Sequence, residues 1–126
     1  MQTAADISAQ ETQLKLGGRE VNARFDHNQM RMSEMYWQHT MLRKLGYLGV
    51  LDQAVARTYS GLGAVCYGAV ASAAMAQGLQ PVAMRDFDRM FDYDQLRGCA
   101  KQLIDCAIEA LPKGKKGDAK KAESRA

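Results

Sequence analysis

The longest uncharged stretch of the chain runs from residue 58 to residue 84, and small and apolar residues fill its centre. On a helix, residues 61–76 would place small or apolar side chains on every side. Such a helix is either surrounded by other helices or lies in lipid. Because membrane-spanning segments need about 20 strongly apolar residues, and this segment is mostly Ala and Gly, we expect the central helix of a soluble core. Small residues at steps of four would let a neighbouring backbone approach closely: Ala64, Gly68, Ser72 and Ala76.

Residues 12–26 alternate between apolar and polar positions on both sides of the pair Gly17-Gly18. Two runs of period two around Gly-Gly indicate a β-hairpin, because glycine readily adopts the positive φ that a tight turn requires. An isolated hairpin is only marginally stable in water, so its apolar face should rest on the helices. The predicted apolar face contains Leu14, Leu16, Val21, Ala23 and Phe25.

The next helical pattern runs from Asn28, a plausible N-cap, to about Leu45, and Gly46 should end it. This helix has two apolar faces. The first face contains Met30, Trp37, Met41 and Leu45, and the second contains Met32, Met35, Tyr36 and His39. One face must pack on the core. The second face either lies under the hairpin or forms a contact surface for another protein, and the pattern leaves both interpretations open.

Further helical patterns cover residues 48–59, 84–91 and 92–111, and a break at Gln77-Gly78 and Pro81 follows the central helix. The short helix should turn Met84, Phe87, Met90 and Phe91 inward. The last has the clearest apolar stripe: Leu96, Ala100, Leu103, Ile104, Ala107 and Leu111. We therefore predict a mainly α fold, with about five helices packed around the central small-residue helix and an N-terminal β-hairpin. A single domain would span residues 12–112, after a mobile N-terminus at residues 1–11.

The net charge of +3 is concentrated at the C-terminus. Residues 113–126 hold six basic and two acidic side chains, which leaves −1 for residues 1–112. The segment has no apolar periodicity and is predicted to be a disordered basic tail. Clustered lysines can contact phosphates, but no aromatic residue is interleaved for base stacking. A solubilising tail is therefore favoured, and a small nucleic-acid-associated regulatory protein is kept as an alternative.

Few residues suggest catalysis or metal binding. Neither His27 nor His39 has a partner spaced for zinc, and the aspartates at 86, 88, 92 and 94 lack the spacing of a calcium loop. The three cysteines, Cys66, Cys99 and Cys106, fall in apolar helical patterns, so we expect buried, reduced and unreactive thiols. We predict no catalytic residues, metal or cofactor, and therefore a binding protein rather than an enzyme.

The order of these features resembles that of phage tail assembly chaperones. The segment LKLGGREVNARFDHNQMRMSE is similar to their opening hairpin and the helix that carries a Glu, here Glu34. A small-residue helix follows (GAVCYGAVASA), then a proline break, a segment FDRMFDY and a closing amphipathic helix that ends at Leu111-Pro112. The resemblance covers residues 12–112. Two features depart from the family: Ala83 stands where a Ser or Thr cap often occurs, and the basic tail is not typical.

The resemblance implies a role in virion morphogenesis. Such chaperones of long-tailed phages bind the tape-measure protein in the cytoplasm of the infected bacterial host, keep it soluble and recruit tail-tube subunits. They are usually absent from the mature virion, and many also occur in a longer form made by ribosomal frameshifting. On this basis the expected partners are the tape-measure and tail-tube proteins, with a possible homo-oligomer and no membrane. Met32, Met35, Tyr36 and His39 are the predicted partner-binding surface, and a structural tail completion or connector protein is a further alternative.

Overall fold

The computed structural model describes residues 10–112, which form a two-stranded antiparallel hairpin followed by six helices. The predictions for residues 1–9 and for the tail at 113–126 lie outside this part of the chain. The elements are β1 (Gln10–Leu16), β2 (Arg19–Phe25), α1 (His27–Met41), α2 (Tyr47–Val55), α3 (Tyr59–Ala76), α4 (Met84–Met90), α5 (Tyr93–Gly98) and α6 (Ala100–Glu109). The predicted class, mainly α with an N-terminal hairpin, is confirmed.

The hairpin forms where the alternation predicts it. Leu16 pairs with Arg19 across a two-residue turn, in which Gly17 and Gly18 have φ values of 59° and 81°. Both values lie in the left-handed region, which only glycine enters without strain. The first strand begins at Gln10, inside the segment predicted to be mobile. The apolar face of the hairpin packs mainly on α3, and four of its five predicted residues are buried: Leu14, Leu16, Ala23 and Phe25.

The helix α3 is the centre of the fold, as the small-residue pattern predicts. Residues 61–69 and 71–73 are buried, and α1, α2, β2, α4, α5 and α6 all contact this helix. By length and composition it could also cross a membrane, and it is the one helix among residues 10–112 for which this holds. Two thirds of it (67%) is buried inside the structure. Its apolar circumference is therefore covered by the protein's own elements.

Two glycines of α3 lie where other helices come closest. A Cβ atom added to Gly68 would collide with the Oγ of Ser33 and the carbonyl oxygen of Gln29, both on α1. A Cβ atom added to Gly61 would collide with the backbone of Gln53 on α2. Because the colliding groups include backbone atoms, they cannot move aside without moving a helix. The small residues of α3 thus set how closely α1 and α2 can pack.

The carboxylate of Asp26 joins the hairpin, α1 and α3. It caps α1 by accepting a hydrogen bond from the N–H of Gln29 (2.9 Å), so the N-cap is Asp26 and not the predicted Asn28. It also accepts hydrogen bonds from the Ser72 hydroxyl of α3 (2.7 Å) and from Nε of Arg24 on β2 (2.8 Å). Charge-assisted hydrogen bonds of this kind are stronger than neutral ones. One side chain therefore fixes three elements.

A second set of polar contacts joins α1 to α2. The side-chain amide of Gln29 is fully buried and donates to the Ser33 hydroxyl and to the Tyr47 hydroxyl, each at 3.0 Å. The carboxylate of Glu34 accepts a hydrogen bond from the Tyr47 N–H (2.8 Å). That N–H belongs to the first turn of α2 and has no partner within the helix. The Glu34 carboxylate therefore acts as the cap of α2.

The first two helices end earlier than the pattern predicts. Helix α1 ends at Met41 because Leu42 adopts the left-handed conformation (φ 60°, ψ 29°). Helix α2 ends at Val55, and Arg57 has a φ of 63° that turns the chain towards α3. Thr58 then caps α3 by accepting a hydrogen bond from the N–H of Gly61.

The C-terminal region differs from the prediction in two details. The single predicted helix is divided into α5 and α6 at Cys99, and a capping box of Asp92 and Gln95 begins α5. Phe87 of α4 is buried, and so is Phe91, the residue that follows this helix. Met90 is 44% exposed, so the prediction that it faces inward is wrong. The predicted apolar stripe is buried throughout: Leu96, Ala100, Leu103, Ile104, Ala107 and Leu111.

The close approach of α1 to α3 predicts opposite effects for two glycines of the same helix. Gly68→Ala should lower the free energy of unfolding by about 1–3 kcal/mol, because the added methyl group overpacks the crossing. Gly63→Ala is the matched control, since its Cβ would meet no atom closer than 3.5 Å. It should leave stability unchanged or raise it by up to about 1 kcal/mol. Urea denaturation followed by circular dichroism measures both values, and equal effects of the two substitutions would contradict this account.

Asp26 predicts a pH dependence of stability. Burial opposes its ionisation, but the hydrogen bonds from Ser72, the Gln29 N–H and Arg24 outweigh burial and lower the pKa of Asp26 below its ordinary value of 3.8. Its stabilising contribution is therefore complete well above pH 3.8 and is lost as the pH falls through the lower pKa of the folded state.

Asp26→Asn keeps a good N-cap residue and removes the charge. Thermal unfolding measured between about pH 6 and pH 3 should show a shallower loss of stability in this variant than in the unsubstituted protein. Asp105→Asn is the control, because its exposed ion pair with Lys101 contributes little. A profile for Asp26→Asn that parallels the unsubstituted protein would rule out this role of the carboxylate.

Candidate functional site

Tyr36, one of the four residues predicted to bind a partner, is a core residue. It is 3% exposed, and its ring stacks on Tyr67 (4.9 Å between centroids) and meets the edge of Phe87 (5.9 Å). Its hydroxyl donates a hydrogen bond to the carboxylate of Asp88. Burial and this hydrogen bond raise the pKa of Tyr36. Phe87 and Asp88 belong to α4, so α4 covers this side chain.

The other three predicted residues differ in exposure. Met32 is half-buried and packs against the core, Met35 is 48% exposed, and His39 is exposed. The four residues therefore do not form one continuous surface, because α4 lies on Tyr36. The alternative that the hairpin covers this face is not what the structure shows, since the hairpin packs mainly on α3. Of the four residues predicted to bind a partner, Met35 lines a groove.

This groove lies between the C-terminal half of α1 and the segment that connects α1 to α2. Its volume is about 390 Å³. The lining combines the apolar side chains of Met35 and Leu45 with four long polar ones and one glycine: Arg31, Glu34, Gln38, Lys44 and Gly46. Leu42 lies beside this lining and is not part of it. We call this feature the α1–α2 groove.

Leu42 extends the apolar part of this region into solvent. Its side chain is 88% exposed, and its backbone is in the left-handed conformation that costs a non-glycine residue about 1–2 kcal/mol. Leu42 directly follows the end of α1 at Met41, and Met35 lies on the exposed side of that helix. A strained backbone and an exposed large apolar side chain at one position violate two local rules of stable structure. Such violations are typical of functional positions.

Two basic side chains, Arg31 and Lys44, line the groove, and Arg43 precedes Lys44 in the chain. Arg31, Arg43 and Lys44 are exposed, and none of the three forms an ion pair with another residue of the 10–112 segment. Arg31 donates a hydrogen bond to the side chain of Asn28 (3.3 Å). The single acidic residue between 27 and 46 is Glu34, whose carboxylate accepts the Tyr47 N–H. The charge available to a ligand here is therefore positive.

The thiols lie away from this groove and are packed in the core. Cys66 and Cys99 are buried and Cys106 is half-buried, and no disulfide joins them. The hydrogen bond with Cys99 and complete burial raise the pKa of Cys66, and burial raises that of Cys106. Among residues 10–112, no three His, Cys, Asp or Glu side chains are grouped so that they could hold a metal ion.

Of the residues that line the groove, Met35 is predicted from the sequence to bind a partner and the others are not. The helical pattern that continues to Leu45 predicts neither the left-handed turn at Leu42 nor the exposure of this side chain. The available signal was the run MLRKLG, in which an apolar residue and two cations precede a glycine. Basic residues commonly occur in the last turn of a helix, where their positive charge interacts favourably with the negative end of the helix dipole.

In comparisons with known proteins, no family model, no curated protein and no solved structure matches this chain.

The left-handed backbone of Leu42 predicts a stabilising substitution. Leu42→Gly should raise the free energy of unfolding by up to about 1 kcal/mol, because glycine relieves the strain and little apolar area is lost from an exposed side chain. Leu79→Gly is the control, since Leu79 is 59% exposed and its φ is not positive. It should be neutral or destabilising. Denaturant titration checks both, and a destabilised Leu42→Gly would show that Leu42 serves the fold.

Proposed function

We propose that this protein is a phage tail assembly chaperone that binds the tape-measure protein. The single observation that carries the proposal is the exposed apolar pair Met35 and Leu42 beside the α1–α2 groove. An exposed leucine with a strained backbone does not stabilise the isolated fold. It would contribute to binding if a partner covered its side chain.

The chemistry of the groove suits a helical partner. An amphipathic helix places its apolar face in a groove through side chains at steps of three and four. Methionine adapts its shape to different apolar surfaces, so Met35 could accept successive segments of a long repetitive helix. A partner of this kind exposes apolar surface before assembly and would aggregate without cover. These properties agree with the sequence resemblance, which covers residues 12–112.

The proposal extends to the cellular setting implied by the resemblance. The protein would act in the cytoplasm of the infected bacterial host, would help to recruit tail-tube subunits and would be absent from the mature virion. A homo-oligomer and a frameshifted longer form belong to the same proposal. Mass spectrometry of purified particles separates a chaperone from a tail completion or connector protein, because only the latter stays in the particle. The nucleic-acid alternative depends on the tail at 113–126, which lies outside the described residues.

The proposal implies that a gene for a very long coiled-coil protein lies beside the gene for this chain, and co-expression with that protein tests it. The unsubstituted chain should increase the soluble fraction of that protein, and a Met35→Glu/Leu42→Glu variant should lose most of the increase, because each carboxylate would be buried against an apolar face. The matched control is Leu79→Glu/Met90→Glu, which changes two exposed apolar residues outside the groove. It should retain the increase.

The proposal fails if the unsubstituted chain leaves the solubility of the neighbouring protein unchanged. It also fails if the groove variant and the control variant retain the same solubilising effect while both remain folded. Circular dichroism of the purified variants establishes the folded state.

A further inference from the structure

We infer that the outer edge of β2 pairs with the same edge of a second copy of this chain, which gives a four-stranded antiparallel sheet across a two-fold axis. The inference goes beyond the proposed function, because this pairing needs no other protein. It also names the surface through which the homo-oligomer included in that proposal would form.

The outer edge of β2 carries backbone groups without a partner. In an antiparallel pair, the residues that flank a two-residue turn exchange hydrogen bonds, and every second residue from there turns its backbone away from the neighbouring strand. Leu16 and Arg19 flank the turn. The N–H and C=O groups of Glu20, Asn22 and Arg24 therefore point outward, and none of them forms a hydrogen bond within residues 10–112. Such an edge is a template for a further strand.

The outer edge of β1 is covered by α6 instead. The side-chain amide of Gln102 donates hydrogen bonds to the carbonyl oxygen of Gln13 (3.1 Å) and to the hydroxyl of Thr12 (3.2 Å). β1 also packs against α5 and α6. On the other strand, Glu20 and Asn22 are exposed. The edge of the hairpin that is open to a second copy is thus that of β2.

The charges of β2 select one register of this pairing. If Asn22 meets Asn22 of the second copy on the two-fold axis, Glu20 lies opposite Arg24 at both ends of the paired segment. A shift by two residues would set Asn22 against a charged residue. A shift by four would set Glu20 against Glu20 or Arg24 against Arg24. Opposite charges directly across two strands are stabilising and like charges are destabilising, so the edge is self-complementary, as a two-fold interface requires.

The same register extends the rows of charge on the exposed face of the hairpin. Glu11 forms an ion pair with Arg24 within the chain. Lys15 lies opposite Glu20, whose carboxylate has no ion-pair partner in the part of the chain that the structure describes. Each outer row of the four-stranded sheet would then alternate in sign, in the order Glu11, Arg24, Glu20, Lys15. The second copy therefore gives the Glu20 carboxylate a cation on each side.

Val21 supports the same pairing from the inner face. It is the one residue of the predicted apolar face of the hairpin that is only half-buried. In this register Val21 lies opposite Ala23 of the second copy, at a position where the backbones do not exchange hydrogen bonds and side chains approach most closely. The second copy would therefore cover the exposed part of Val21 with an apolar neighbour.

The pairing is small, so the dimer is weak. It forms about six backbone hydrogen bonds, but it covers much less than the roughly 1,200–2,000 Å² of a standard interface. The expected dissociation constant is on the order of 10–100 µM.

Sedimentation equilibrium of the purified full-length chain tests the pairing. The average mass should rise from the 13.9 kDa of the chain towards twice that value as the concentration increases from about 1 to 500 µM. Asn22→Pro removes an outward N–H, a position where a strand tolerates proline, and should raise the dissociation constant at least about tenfold. Gln13→Pro is the matched control, since Gln13 lies opposite Asn22 and either substitution removes their side-chain hydrogen bond. It should dimerise like the unsubstituted chain.

An exchange of charges tests the register. Glu20→Lys and Arg24→Glu each set like charges against each other at both ends of their own dimer, so each variant alone should be monomeric where the unsubstituted chain dimerises. A mixture of the two variants restores opposite charges at both ends and should dimerise. Asp52→Lys makes the same change of charge as Glu20→Lys at an exposed position of α2 and should leave dimerisation unchanged. Circular dichroism establishes that each variant is folded.

A chain that stays monomeric up to about 500 µM overturns the inference, whether water or the chain's own residues 1–9 occupy the edge. A dimer that survives Asn22→Pro also overturns it, since the second copy would then use another surface, for example the α1–α2 groove. The two proline variants decide the question even if Arg24→Glu does not fold. Because only the purified chain is present, dimerisation combined with failed co-expression rejects only the proposed function. Successful co-expression by a chain that remains monomeric rejects only the pairing.

Discussion

The distance between α1 and α3 is the constraint on which the rest of the structure depends. Gly68 leaves no room for a side chain between α3 and the backbone of α1 at Gln29 and Ser33. At this separation the Asp26 carboxylate hydrogen bonds with Ser72, and Gln29 is enclosed next to Tyr47. Polar groups buried in this way must be fully paired, because an unpaired one costs more than a hydrogen bond returns. The glycine contact and the polar contacts therefore require each other.

This packing also determines which side of α1 is exposed. Since Gln29, Ser33 and Trp37 are buried, Arg31, Met35 and Gln38 lie on the solvent side of α1. The groove is thus a consequence of how α1 docks on α3. Glu34 lies at the border between the two sides and caps α2, which holds the second wall of the groove in place. Helix α1 therefore contributes both to the stability of the core and to the shape of the candidate site.

The architecture could be predicted because it depends on strong local patterns: Gly17-Gly18 in the hairpin turn, the uncharged segment of α3 and the apolar stripe that ends at Leu111. The face of α1 that packs on the core could not be predicted. The residues that α1 buries most deeply include Gln29 and Ser33, and polar residues are ordinarily assigned to the surface. Their burial follows from contacts with Tyr47 and α3 that are distant in sequence. The two faces predicted from the apolar residues of α1 contain neither Gln29 nor Ser33, and Tyr36 is on the face for which burial and partner binding are both left open.

The crossing at Gly68 has a consequence for how this sequence can vary in evolution. The Ser33 hydroxyl, the Gln29 carbonyl oxygen and Gly68 meet in one small volume, so the size of the residue at 68 is limited by the separation of the two helices. A larger residue at 68 would require a shift of α1, because the backbone of Gln29 and Ser33 also blocks the site, and a shift of α1 would break the bond between Asp26 and Ser72. Related sequences should therefore keep a glycine at 68 together with a small residue at 33, whereas the exposed residues Arg31, Met35 and Gln38 are free to change.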